Sequence, residues 1–228
     1  MDEHMTTGNS ITVGILSRNR PEALRRCISS IAATINCDHQ IIIAFDEDYN
    51  GYISPTAEWT NVSAVYLHPR HYYVRGVNAL YRNMKKINPE MDFFFVSTDN
   101  IEFTTQGWGQ KLMDLHETTY PDGKGVTEIL GPGVCSHYLA RKKFFDEDFD
   151  GYLANPVYTQ YGSDDELRWT LQDQGQFSFA RGSGLGARLL AQRTIGQIDD
   201  ELHEEVRQWY PWDREILARR AQEKGWNV

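Results

Sequence analysis

Two stretches decide the fold: Ile11-Thr-Val-Gly-Ile-Leu-Ser-Arg-Asn-Arg-Pro-Glu-Ala-Leu24 and Ile41-Ile-Ile-Ala-Phe-Asp-Glu-Asp48. Residues 11–16 are short, apolar and β-branched, the pattern of a strand buried on both faces. The next four, Ser17-Arg18-Asn19-Arg20, break that run. Ser17 or Asn19 can cap a helix, and Pro21 fits a first helical turn. Leu24, Ile28 and Ile31 then recur at helical spacing on one face. The second apolar run, 41–45, ends in Asp46-Glu47-Asp48. Strand, helix and strand within about 35 residues make a βαβ unit, whose two strands run parallel.

Further along, the pattern repeats. Val62–Leu67 reads as a third strand, and Val77, Leu80, Tyr81, Met84 and Ile87 mark a helix that Asn88-Pro89 stops. Phe93-Phe-Phe-Val96 is uniformly apolar, a central strand, and runs straight into Ser97-Thr98-Asp99-Asn100. Trp108, Leu112 and Leu115 mark another helix, and residues 121–136 read as loop. A helix is predicted from Ser163 with Leu167 and Leu171 inward, and two short amphipathic helices in the last thirty residues. The expected architecture is a single α/β domain over residues 11–228, with a mostly parallel central sheet flanked by helices. Residues 1–10 are expected to be a flexible N-terminus.

Composition narrows the class. With 228 residues, 40% of them hydrophobic and 12% aromatic, the chain can bury a real core, which excludes global disorder. No window approaches the roughly 18 uncharged apolar residues of a membrane span. The polar opening MDEHMTTGNS has no apolar signal region, and Cys27, Cys37 and Cys135 read as reduced thiols, so a cytoplasmic location is expected. Lys plus Arg number 23 against 32 Asp plus Glu, a net charge of −9, which argues against coating nucleic acid by bulk electrostatics. The charges are sorted, however. Residues 59–89 hold no acid but carry Arg70, Arg75, Arg82, Lys85 and Lys86, enough to face an anion such as a diphosphate.

In open parallel sheets, ligands bind beyond the carboxyl ends of the strands. Here those ends deliver Ser17 and Asn19, Asp46 and Asp48, and Asp99 and Asn100. Asp99 either caps a turn or holds a divalent cation bridging phosphates. Ser163-Asp164-Asp165-Glu166 either caps a helix or supplies a general base. Phe45–Tyr52 and Phe145–Tyr152 echo each other and match the first half of a calcium loop. Ala57 and Val157 stand where such a loop needs its bidentate Glu, so only a looser calcium loop stays open. Gly182-Ser-Gly184-Leu-Gly186 lacks phosphate-loop spacing and reads as a flexible loop, and His203-Glu204-Glu205 lacks the second His of a zinc protease.

Taken in order, these segments resemble the family 2 glycosyltransferases of the GT-A fold, over most of residues 11–180. Ile11–Leu24 resembles the opening strand, turn and helix; Ile43–Asp48 the second nucleotide-binding segment. Arg75-Gly76-Val-Asn78 resembles the segment along the nucleotide. Ser97-Thr98-Asp99 resembles the metal-binding D-x-D, and Ser163-Asp164-Asp165-Glu166-Leu167 the base motif. The resemblance implies a nucleotide-sugar half at 11–105 and an acceptor half with C-terminal helices at 106–228. It implies donor contacts from Ser17, Asn19, Arg20, Asp46, Arg75, Asn78, Thr98 and Asp99. Mn²⁺ or Mg²⁺ would sit on Asp99, with His203 as a late metal ligand. Asp164 would be the base, with Asp165 in reserve. The implied reaction is inverting transfer from a UDP-sugar to a saccharide, lipid-linked or protein hydroxyl. Two other readings stay open: the same transfer to a hydroxymethylated base in DNA, and a non-enzymatic module binding calcium or a sugar nucleotide. Ser97 departs from the first Asp of D-x-D.

Overall fold

The computed structural model describes residues 10–46, 59–130, 135–180, 183–185, 187–189 and 201–226. The first half contains β1 (Ile11–Ser17), α1 (Pro21–Thr34), β2 (His39–Asp46), β3 (Val62–Leu67), α2 (Tyr72–Ile87), β4 (Phe93–Thr98) and β5 (Ile101–Phe103). There follow α3 (Trp108–Thr119), β6 (Val126–Glu128), β7 (Tyr138–Arg141), α4 (Lys142–Asp148), α5 (Ser163–Asp173), β8 (Phe177–Phe179), β9 (Ala187–Leu189), α6 (Glu201–Arg207) and α7 (Tyr210–Lys224).

Seven strands form one sheet in the order β3-β2-β1-β4-β7-β6-β8, and β5 pairs with β9 separately. β1 pairs in parallel with both β2 and β4, and β2 in parallel with β3. The winding therefore runs from β1 out to β3 on one side and resumes at β4 on the other. Beyond β4 the sheet turns antiparallel, through β7 and β6. Both faces are covered. Ile42, Phe94 and Val96 face Leu80 and Met84 of α2, Phe145 of α4, Leu171 of α5 and Leu217 of α7. Val13, Ile15, Ile43 and Phe95 face Ile28 and Ile31 of α1 and Trp108 and Leu112 of α3. A sheet buried on both sides has no use for a polar face, hence the uniform runs at 11–16, 41–45 and 93–96.

The expected loop at 121–136 proves to contain β6. A strand of three residues is too short to show alternation, and pairing with β7 and β8 defines it instead. The calcium-loop reading of 145–152 fails. Residues through Asp148 are helical, Asp146 pairs with Lys85 at 2.6 Å and Asp148 with Lys124 at 2.9 Å. Its echo at 45–52 lies beyond Asp46 outside the described residues, as do Asp48, Gly182 and Gly186. Among the described residues no helix is long and apolar enough to cross a membrane.

Two buried polar side chains tie the connections down. Asn78, 3% exposed on α2, accepts from the N–H groups of Leu153 (2.8 Å) and Ala154 (3.1 Å) and donates to the Ala154 carbonyl (2.8 Å). Asp213, fully buried in the first turn of α7, accepts from the N–H groups of Thr159, Gln160 and Tyr161 at 2.8–3.0 Å. Removing such an acceptor leaves buried donors without partners. Asn78→Ala is expected to lower unfolding free energy by about 2–4 kcal/mol in urea titration; a loss below about 0.5 kcal/mol would mean that these bonds are not what holds residues 153–154.

Candidate functional site

The carboxyl ends of β1, β2 and β4 open onto a cleft of about 150 Å³, lined among others by Ser17, Arg18, Arg20, Asp46, Arg70, Thr98 and Asp99. It lies where the sheet reverses its winding, the position at which open α/β sheets bind ligands. Its centre is Asp99, only 2% exposed. The Ser17 hydroxyl donates to Asp99 Oδ2 at 2.7 Å, and Arg20 Nη1 stands 3.6 Å from Oδ1. Burial raises the Asp99 pKa, opposed chiefly by the Arg20 charge and the Ser17 hydroxyl. Asp46 closes another wall. Its Oδ1 accepts from the His71 N–H at 2.6 Å, and burial raises its pKa too, against that bond and the nearby cations. Three arginines and two carboxylates line the cleft, a charged setting suited to an anion that also brings a cation of its own.

The rim is aromatic and cationic. The Arg70 guanidinium lies over the Tyr72 ring at 4.1 Å, and Tyr72 meets Trp209 edge-on at 5.5 Å. Arg18 pairs with Glu205 of α6 at 2.7 Å, and Arg70 pairs with the same carboxylate. Opposite stands the segment 159–161 that Asp213 clamps. The Gln160 side chain lines the cleft and accepts from the Tyr73 N–H at 2.9 Å.

Asp164 follows three residues later, in the first turn of α5. The chain enters that helix through Gly162 at φ +80°, a left-handed position that favours glycine. Asp164 Oδ1 accepts from the Asp165 N–H at 3.1 Å. Burial, reinforced by the Asp165 charge, pushes the Asp164 carboxyl up to about 6. Burial and the Asp164 charge together raise the phenol of Tyr73, which lines the cleft. Asp164 itself is not among the lining residues; it lies close enough for its charge to act on Tyr73, which is. Its neighbours are otherwise engaged: Asp165 pairs with Arg168 at 3.2 Å, and Glu166 with Arg220 at 2.6 Å.

The structure thus brings together Ser17, Arg20, Asp46, Thr98 and Asp99, with Asp164 nearby. It does not bring in three others. Asn19 is exposed at φ +48°, bending the turn after β1. Arg75 is exposed on α2 away from the lining, and Asn78 is spent on the 153–154 backbone. The cations that line the cleft beside Arg20 are Arg18 and Arg70 instead. Both lay in view, Arg18 in the strand-end turn and Arg70 in the acid-free stretch, whereas the family resemblance pointed to Arg75. His203 lies on α6, and its side chain is outside the described residues.

Ser97 does not reach the cleft. It is fully buried, its hydroxyl 3.1 Å from His137 Nδ1, and burial lowers His137 to about 4. Among the described residues no three His, Cys, Asp or Glu converge as a metal cage. A single strand-end carboxylate still fits Mg²⁺ or Mn²⁺, which bind through one or two carboxylates completed by substrate phosphates and water. Asp99 is such a carboxylate, lining the cleft with Ser17 and Arg20 beside it.

No protein-family model matches the chain, and no curated protein matches it. Solved structures do. GalNAc-T7 with UDP, GalNAc and Mn²⁺ aligns over 76% of this chain at a TM-score of 0.61 and 11% identity, covering 43% of its own length. Residues 1–349 of TarS from S. aureus align over 77% at 0.59 and 10% identity, covering 59% of that chain. The mannosyltransferase PcManGT from Pyrobaculum calidifontis, with GDP-Man and Mn²⁺, aligns over 74% at 0.55 and 10%, covering 53%. The chain matches only about half the length of these proteins. With its sheet order, its strand-end cleft and these alignments, the chain has the GT-A fold of nucleotide-sugar glycosyltransferases.

Proposed function

We propose that the chain is a glycosyltransferase that moves a sugar from a nucleotide-diphosphate sugar to an acceptor hydroxyl, with inversion at the anomeric carbon. The observation that carries this reading is Asp99, a buried carboxylate at the sheet's reversal, ringed by Arg18, Arg20 and Arg70. In this reading Asp99 holds a divalent cation, which supplies neutralisation of the leaving diphosphate. The arginines add positive charge beside it, and Asp46 accepts a hydrogen bond from the nucleoside. The bound ligands of two structural neighbours, UDP in one and GDP-Man in the other, make uracil and guanine nucleotides the first donors to test.

Asp164 acts as the general base. It takes the acceptor's hydroxyl proton as the oxygen attacks the anomeric carbon, and the bond from that carbon to the diphosphate breaks on the opposite face. A carboxyl pushed up to about 6 by burial is matched to that task, since it is ionised at neutral pH yet basic enough to draw a proton. The acceptor approaches on the Tyr73 and Gln160 side. Nearby, the exposed rings of Tyr210 and Trp212, with Arg214 5.9 Å over Tyr210, favour a second acceptor reading, a modified base in DNA. A gel shift at low salt separates the two: retarded DNA supports the nucleic-acid acceptor, and unretarded DNA supports a saccharide, lipid-linked or protein hydroxyl.

Three results are expected. A thermal-shift panel of UDP, GDP and their sugars should show stabilisation that needs Mn²⁺ or Mg²⁺ and disappears with EDTA; equal shifts in EDTA would remove the cation from Asp99. Asp164→Asn should keep nucleotide binding and lower turnover by about a hundredfold or more, the usual scale of a lost general base; near-full turnover would remove Asp164 from that role. Turnover of the parent protein should rise with pH through about 6 and then level, because the base must be ionised.

Asp164→Asn should also be more stable than the parent at neutral pH. Below the ordinary Asp value of 3.8, the carboxyl is protonated folded and unfolded alike. Between 3.8 and about 6 the unfolded chain ionises while the folded one stays protonated, so folding stability falls across that window and stays lower above it. Melting curves from pH 4 to 8 check this; a parent and variant with parallel profiles would contradict it.

A further inference from the structure

A second cavity, of about 410 Å³, lies between residues 148–156, the start of α5 and the end of α7. It shares no lining residue with the cleft at Asp99. Its size lies in the range of small-molecule sites, roughly 300–1,000 Å³. One wall, Leu153–Ala154, is pinned by the three Asn78 bonds, so the cavity is preformed.

Its chemistry is specific. Glu166, 7% exposed, accepts from Arg220 Nε (2.6 Å) and Nη2 (2.7 Å), from Asn155 Nδ2 (2.8 Å) and from the Tyr158 hydroxyl (2.5 Å). That carboxylate is balanced and fully engaged, and its pKa is lowered by Arg220 and these bonds despite burial. Of the remaining charges, Asp148 is paired with Lys124, and Asp150 stands against Lys224, so the lining is close to balanced and offers no surplus cation to a phosphate or carboxylate. Among the described residues no acidic cluster converges for a metal. Leu153 and Leu167 supply apolar wall, and the Tyr152 ring stands 42% exposed at the mouth.

A second, independent feature points to a ligand. Ser163 is 1% exposed, lines this cavity, and its hydroxyl has no hydrogen-bond partner. A buried polar group without a partner is a cost that native proteins rarely carry without reason. What satisfies a lone hydroxyl, a tyrosine face and a charge-balanced polar floor at once is a neutral, hydroxyl-rich molecule with one apolar side. We propose that this cavity binds a neutral saccharide, with a ring face on Tyr152 and a hydroxyl bonded to Ser163 Oγ. The site is separate from the transfer cleft and does not depend on the glycosyltransferase reading.

Saturation-transfer NMR and calorimetry on the full chain test it, with chitobiose, mannobiose, galactobiose and maltotriose as probes and inorganic phosphate as the anionic control. At least one saccharide is expected to bind at millimolar affinity. Tyr152→Ala and Ser163→Ala should each weaken it by about fivefold to tenfold, with UDP–Mn²⁺ binding unchanged and the melting temperature unchanged for Tyr152→Ala and unchanged or raised for Ser163→Ala. Tyr152 is exposed, so its truncation leaves the core intact. Saccharide binding indifferent to both substitutions, no binding by any probe, or binding of phosphate in preference would each overturn the proposal. Since UDP–Mn²⁺ is measured in the same samples, failure of the transfer cleft reads separately.

Discussion

The 2.7 Å hydrogen bond from the Ser17 hydroxyl to Asp99 joins the ends of β1 and β4 at the seam where the sheet reverses its winding. Much of the rest follows from that seam. Connections leave β1 toward β2 and leave β4 in the other direction, so no crossover fills the space above it. The strands beneath are buried on both faces and stiff, so whatever their last residues carry is held in fixed geometry. An isolated carboxylate buried there would be costly, and burial does raise the Asp99 pKa. Ser17 and Arg20 offset that cost in the folded protein. They hold the carboxylate in the lining of the strand-end cleft.

The other side of the cleft is assembled from distant sequence. Asp213 of α7 holds three consecutive backbone N–H groups at 159–161, and Gln160 in turn takes the Tyr73 N–H at the head of α2. One buried carboxylate thereby links the last helix to the wall that carries Asp164. Glu205 of α6 adds a second link, pairing with both Arg18 and Arg70. The two arginines are thus held in place by a carboxylate, an anion standing where the proposed diphosphate would make comparable ion pairs.

The left half of the sheet was legible because its residues answer to purely local rules. Runs such as Ile41–Phe45 and Phe93–Val96 admit few structures other than buried strands, and parallel order followed from the helix between them. The strand-end position of Ser17, Asp46, Thr98 and Asp99 came with it, because strand ends fix where side chains emerge. The mixed right half, β7, β6 and β8, was not legible. β6, β7 and β8 have three or four residues each, too few for a period, and they exist through partners far away in sequence. The same limit hid the role of Asn78, whose partners lie 75 residues on, and of Asp213, whose carboxylate reads locally as ordinary helix capping. Arg70 and Arg75 differ by five positions in one basic stretch, and only the path of the chain into α2 decides which one faces the cleft.

The central claim is that Asp99 anchors a cation beneath a nucleoside diphosphate. The most direct measurement is a crystal structure with UDP or GDP and Mn²⁺, the metal located by its anomalous scattering. The account predicts a manganese peak within coordination distance of Asp99, about 2.0–2.3 Å for a hard divalent ion on oxygen, with the diphosphate beside Arg18, Arg20 or Arg70. Nucleotide bound elsewhere, or manganese bound away from Asp99, would contradict it.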